Sequence, residues 1–151
     1  MRLVREVLAA EETRQGTNIA KAIQYLNRIQ KRKCVVFLIS DFMDQGYEQD
    51  LRVMARKHDV ICCNINDQRE KVIPPVGLIE VEDPESGEVV LLDTNAASTR
   101  KRLAQLADEH NQMLQDLFRR QNIDCISVDT SRPYLDDIRR LFEQRQRRKR
   151  R

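Results

Sequence analysis

Residues 34–44 read CVVFLISDFMD. Six consecutive apolar residues, Cys34 to Ile39, run without alternation into Ser40 and Asp41. An unbroken apolar run of this length predicts a strand covered on both faces, the pattern of a parallel sheet packed between helices. In open α/β sheets, ligands gather outside the carboxyl ends of the strands, which makes Asp41 the first candidate site residue. The plain alternative for Asp41 is a turn cap, because Asp commonly ends strands and starts loops.

The same pattern occurs twice more. Val60–Ile65 (VICCNI) leads to Asp67, and Ile123–Val128 (IDCISV) leads to Asp129. Helices are predicted between these strands. One starts at Gly16-Thr17-Asn18, with Thr17 or Asn18 as N-cap and Ile19, Ala22, Ile23, Leu26 and Ile29 on its apolar stripe. A second spans Tyr47 to Lys57, with Tyr47, Leu51, Met54 and Ala55 inward, and His58 closes it as a C-terminal cation. The longest is capped by Ser98 or Thr99 and runs to about Gln121. Its inward stripe includes Leu103, Leu106, His110, Met113, Leu114 and Phe118, with His110 read as a packed side chain. Pro133 opens the last helix, with Tyr134, Leu135, Ile138, Leu141 and Phe142 inward. Residues 2–10 predict a short amphipathic helix ahead of all of these. Leu78–Glu82 and Glu88–Leu92 flank Asp83-Pro84-Glu85-Ser86-Gly87 and predict a β-hairpin with one wet face. Strands separated by helices require right-handed crossovers, so the expected fold is α/β, a three-layer sandwich around a mostly parallel sheet with one added hairpin.

Composition narrows the classes. The 151 residues suit one domain with a real core. Charged residues make up 34% and aromatic residues 5%, with no Trp, which describes charged helices around an aliphatic sheet. No apolar run approaches the roughly 20 residues of a membrane span, and the start lacks the apolar core of a signal peptide. A cytoplasmic location is the resulting expectation. Cys34, Cys62, Cys63 and Cys125 all sit in strand-like runs without CxxC spacing and read as reduced core residues. The net charge of +3 is concentrated in residues 145–151 (RQRRKRR), which read as a solvated, frayed tail.

Three parallel strands ending in Asp41, Asp67 and Asp129 place three carboxylates on one sheet edge. One enzymatic reading follows: a Mg²⁺-dependent nuclease or phosphodiesterase, with the carboxylates sharing the cation and the Arg-rich tail holding a phosphate backbone. Neither His of the chain is placed as a general base for it, since both fall on helices.

The GTN helix start, LNRIQKRKCVVFLISDF, RKHDVI, VGLIEVEDPESGEVVLLDT and LFRRQNID, in that order and spacing, resemble a von Willebrand factor A domain of the bacterial MoxR-associated type, the domain-of-unknown-function family fifty-eight. The resemblance covers almost the whole chain, with residues 1–144 as a partial domain and 145–151 as the basic tail. It implies a non-enzymatic protein-interaction domain whose partner is a MoxR-type AAA ATPase. It also implies a metal-ion-dependent adhesion site, in which Thr17 and Asp41 match the family's Thr and second Asp as Mg²⁺ ligands. The DxSxS motif of that site is absent, so Mg²⁺ binding is expected to be weak or absent. The resemblance further implies that this chain corresponds to the domain's second half and that Met1 stands inside it. The strand Cys34–Ile39 would then lack a neighbour and expose an edge for self-association or for pairing with another chain. Neither nucleic acid nor a membrane is expected as a partner.

Overall fold

The computed structural model of the chain describes residues 17–67, 73–82, 87 and 89–149, together with Arg5 and Ala9. The predicted helix over residues 2–10 otherwise lies outside the described residues, as does the tip of the predicted hairpin. In chain order the elements are α1 (Ile19–Ile29), β1 (Val35–Ser40), α2 (Glu48–Lys57), β2 (Asp59–Asn66), β3 (Leu78–Glu82), β4 (Val89–Asp93), α3 (Ala97–Arg120), β5 (Asp124–Asp129) and α4 (Leu135–Lys149). The fold is α/β, with a three-stranded parallel sheet in the order β1-β2-β5 and a separate antiparallel β3-β4 pair.

Local chemistry accounts for the element ends. Asn18 caps α1, its Oδ1 accepting from Lys21 N–H at 2.7 Å. Acidic Glu48 and Asp50 lie in the first turn of α2, and Arg56 and Lys57 in its last, as the helix dipole favours. α3 begins earlier than Ser98 or Thr99 would place it, with Ala96 as N-cap and no capping side chain. The start is fixed instead by Arg100, whose Nη1 donates to the Thr94 and Asn95 carbonyls. Asn122, in the left-handed region at φ 55°, turns the chain from α3 into β5, a conformation Asn tolerates better than most residues.

Two cores close on the sheet, one on each face. On the first, Ile19 and Ile23 of α1, Leu51 and Met54 of α2, and Leu114 and Phe118 of α3 surround Val60 and Cys62. On the second, Leu141 of α4 packs on Ile61, Cys63 and Ile126. Several residues predicted to face inward do not. Ala22 and Ile29 of α1, Leu106 and Met113 of α3, and Tyr134, Leu135 and Phe142 around α4 are exposed. Among the described residues the sheet is three strands wide, so each helix buries a narrower stripe than its apolar pattern offers. Cys125 is likewise exposed, on an edge strand, while Cys62 and Cys63 are buried.

β1 departs most from its sequence reading. It is an edge strand, and only Val36 and Leu38 pack into the first core. Val35, Phe37 and Ile39 are 54%, 47% and 66% exposed. They are register partners of Asp59, Ile61 and Cys63, so they lie on the face that α4 covers farther along the sheet. α4 reaches β2 and β5 and leaves β1 bare on that side.

His58 closes α2 as its C-cap, its N–H donating to the Met54 carbonyl. It is buried, with Nδ1 3.5 Å from Cys34 Sγ. The basic run also begins as structure, because α4 continues through Lys149. Arg145 donates from Nη1 and Nη2 to both carboxylate oxygens of Asp59, at 3.0 and 2.6 Å, and from Nε to Asp124 at 2.7 Å. It ties α4 to the first residues of β2 and β5 and neutralises two carboxylates brought side by side there. The Asp59 hydrogen bond chiefly raises the Arg145 pKa above its already high ordinary value.

Arg145→Ala therefore leaves Asp59 without its guanidinium partner, while Asp124 keeps Arg148, and is expected to cost about 1–2 kcal/mol in urea unfolding at neutral pH. Arg148, 66% exposed and paired with Asp124 alone, should cost under about 0.5 kcal/mol on the same change. Equal losses for the two variants would contradict the bridging role. A pH dependence follows from Cys62, whose thiol is held well above its ordinary value of 9.0, mainly by burial. The folded chain keeps a proton that the unfolded chain releases, so stability is complete below about pH 9 and falls above it by up to about 1.4 kcal/mol per pH unit. Unfolding midpoints measured across that range should decline less steeply in Cys62→Ala; an unchanged slope would show that another group is responsible.

Candidate functional site

The carboxyl ends of β1, β2 and β5 form one edge of the sheet, and the loop after β1 is its most constrained part. Ser40 Oγ accepts from Phe42 N–H at 3.0 Å, and Asp41 Oδ1 accepts from Met43 N–H at 3.2 Å. Phe42 is forced to φ 58°, a strained setting for a bulky residue. Its ring offsets the strain by burying completely, 5.2 Å from the Phe118 ring in an edge arrangement and 5.9 Å from Tyr47. Burial also holds the Tyr47 hydroxyl pKa well above its ordinary value, with Glu48 adding to the effect. The turn thus drives one aromatic ring into the core and leaves Asp41 on the surface.

The same loop reaches back to α1. Asp44 Oδ2 accepts from Ile19 N–H at 2.7 Å, capping the helix across 25 residues of sequence. This contact brings the segment of Thr17 to the Asp41–Asp44 loop. Thr17 precedes the capped end of α1, and Asp41 opens the loop that caps it. Between them they offer one hydroxyl and one carboxylate, and a Mg²⁺ ion takes six oxygen ligands.

Asp67 and Asp129 share the edge without converging on Asp41. In register, Asn66 pairs with Asp129 and Ser40 with Asn64, so Asp129 lies two strands from Asp41 and farther along the strand direction. Asp129 Oδ1 accepts from both the N–H and the hydroxyl of Ser131, at 2.9 and 2.6 Å, a turn cap. Among the described residues no group of three or more His, Cys, Asp or Glu side chains is arranged to hold a metal ion.

The edge also holds residues that were not site candidates in the sequence. His110, read as packed, is partly exposed and lies with Nε2 3.3 Å from the Asp41 carbonyl oxygen. Asn64 is buried and donates from Nδ2 to Asn111 Oδ1 at 3.1 Å, while its buried Oδ1 has no partner among the described residues. Asn66 donates to Ser127 Oγ at 3.0 Å. Polar residues inside VICCNIN, at the end of an otherwise apolar strand, are the one signal that could have found Asn64 and Asn66. Such an amide-rich edge suits recognition by hydrogen bonds.

The hairpin forms a second distinctive surface. Ile79, Val81, Val90 and Leu92 fall on one face by register, and Val81 and Val90 are 43% and 46% exposed. Its base is locked by the fully buried Thr94, whose hydroxyl donates to the Gly77 carbonyl at 2.6 Å and accepts from Val76 N–H at 3.0 Å. Among the described residues no helix is long and apolar enough to cross a membrane.

The protein-family model described as "Protein of unknown function DUF58" matches residues 1–113. The chain belongs to the DUF58 family. Uncharacterised proteins of Mycobacterium bovis and Mycobacterium tuberculosis are each 30% identical to it over 131 residues, 86% of this chain and 41% of their own length. An uncharacterised protein of Mycobacterium avium is 28% identical over 86% of this chain and 77% of its own length. The DUF58 chain described here thus spans about two-fifths of the longer relatives. No solved structure matches it.

Asp44→Ala removes the long-range cap on α1 and should cost about 1 kcal/mol, against less than about 0.5 kcal/mol for the exposed Asp41→Ala. Adding Mg²⁺ should leave the unfolding temperature of the chain, of Thr17→Ala and of Asp41→Ala unchanged, since a ligand well below its Kd adds no stability. A Mg²⁺-dependent rise lost in those two variants would establish a working metal site.

Proposed function

We propose that this chain is part of a non-enzymatic protein-interaction domain of von Willebrand A type that partners a MoxR-type AAA ATPase. The observation that carries the interaction reading is the bare edge of β1. Among the described residues no strand pairs with its outer backbone donors and acceptors beside Val35, Phe37 and Ile39, and no Pro or charged residue lies inside the strand to block pairing. Unprotected edges of this kind are templates for another strand, and β-addition is a common mode of recognition. The exposed apolar face of the hairpin adds a second contact of the same character. The identity of the partner rests on the resemblance to the MoxR-associated type.

A second reading is self-association through the same edge, favoured by its flanking charges. Lys31, Arg32 and Lys33 precede β1, and Asp41 and Asp44 follow it. In an antiparallel pairing of two copies with Phe37 on the two-fold axis, Lys33 falls opposite Asp41 and Cys34 opposite Ser40. The edge is self-complementary in that register, as an isologous interface requires.

Phe37→Lys places a charge on the open edge and separates these readings. Affinity for a MoxR-type ATPase, measured in its ATP-analogue and ADP states, should fall at least about tenfold, while the unfolding temperature stays within a few degrees because Phe37 is half exposed. Unchanged affinity, or none in either state for the parent chain, would contradict the proposal. Sedimentation equilibrium tests the second reading, which a concentration-independent monomer would exclude.

A further inference from the structure

At the amino-terminal end of the sheet, away from the edge that carries Asp41, a thiol and an imidazole meet. Cys34 stands just before β1 and His58 just before β2. The Asp59 N–H donates to the Cys34 carbonyl at 2.9 Å, so the start of the β1-β2 ladder sets the two residues side by side. Cys34 Sγ lies 3.5 Å from His58 Nδ1, the arrangement of a nucleophile beside its base. A purely packed role accounts poorly for His58. It is 4% exposed, and an imidazole buried to that degree ordinarily has both ring nitrogens hydrogen-bonded. Among the described residues Nε2 has no hydrogen-bond partner, and the polar contact of the ring is the Cys34 sulfur.

The sulfur is also reachable, and its surroundings select for charge. Cys62 and Cys63 are buried, and burial pushes both thiols above their ordinary value. Cys34 is partly exposed at the start of an edge strand and has a base at its sulfur. Exposed Lys31, Arg32 and Lys33 lead directly into Cys34, and exposed Arg56 and Lys57 lead into His58. The carboxylate beside them, Asp59, is held by Arg145. A reactant approaching the sulfur therefore meets a positive corner, which raises the local concentration of anions.

We propose that Cys34 is a site of thiol–disulfide exchange with small anionic disulfides, and that His58 is its base. The S–H proton passes to His58 Nδ1, and the Cys34 sulfur attacks one sulfur of the disulfide. A new S–S bond forms as the old one breaks, and the departing thiolate recovers the proton. One thiol and one disulfide give one mixed disulfide and one thiol, so the small disulfide is itself the oxidant. The carboxylates of the reactant lie against the lysines and arginines of the corner. The exchange uses Cys34, His58 and their charged neighbours, so it stands independently of what the β1 edge binds.

The test uses the full reduced chain with glutathione disulfide, which is anionic, and cystamine, which is cationic, followed by intact mass and peptide mapping over time. At neutral pH and low salt, glutathione should add at Cys34. Relative to the rates of both reagents with free cysteine, glutathione disulfide should react at least about tenfold faster than cystamine. Addition should disappear in Cys34→Ser, persist in Cys125→Ser and slow at least about tenfold in His58→Gln, whose amide takes no proton. Circular dichroism confirms that each variant is folded before rates are compared. Because His58 is buried, Lys31→Gln/Arg32→Gln/Lys33→Gln supplies a second measurement on exposed positions alone. It should lose the preference for the anionic disulfide while neutral iodoacetamide still alkylates Cys34 at the parent rate. Addition at Cys125 in place of Cys34, no addition to the native chain, an unchanged rate in folded His58→Gln, or no preference between the two disulfides in the parent chain would each overturn the proposal.

Discussion

The structure depends on β2 being covered on every side. It has a hydrogen-bonded neighbour along each edge and helices against each face, so its alternating side chains are divided between two cores. Val60 and Cys62 belong to the core under α1, α2 and α3, and Ile61 and Cys63 to the core under α4. Small thiol side chains at adjacent positions let both helical layers approach the strand closely, which the close packing of protein interiors rewards. Everything else is placed relative to this strand.

The two flanking strands are treated unequally. β5 lies under α4, and α4 is tied to the sheet by Leu141 from within and by Arg145 at the amino-terminal end of β2 and β5. β1 has a helical layer on one face only. Among the described residues nothing covers its other face or its outer edge, and the apolar residues Val35, Phe37 and Ile39 are exposed. A contiguous apolar sheet surface of this kind is unusual unless something binds it. The interaction reading follows from this asymmetry and from no single residue.

The two ends of the sheet use their carboxylates differently. At the amino-terminal end, Asp59 and Asp124 converge and are held by one guanidinium. At the carboxyl end, Asp41 and Asp129 fold onto their own turns through backbone N–H groups, and Asp44 reaches across to cap α1. Hydrogen bonds to neighbouring backbone shape these loops, and the surface left over is rich in amide and hydroxyl groups.

The alternation of strands with helices, the three apolar runs and the hairpin were legible in the sequence, because each depends on local periodicity and turn chemistry. So was the placing of Asp41, Asp67 and Asp129 on one edge, which follows from parallel strands alone. Which apolar residues are buried was not legible. Phe37 and Ile39 read the same as Ile61 and Cys63, and only the strand order and the reach of α4 separate them. The roles of Arg145 and His110 were hidden for the same reason. Each depends on contacts with residues distant in sequence, such as Arg145 with Asp59, and no spacing along the chain records them. Sequence by itself determined which segments are strands and helices, since that is a matter of neighbours along the chain. The tertiary structure decided which faces are covered and which charges meet, since burial and electrostatics depend on neighbours in space.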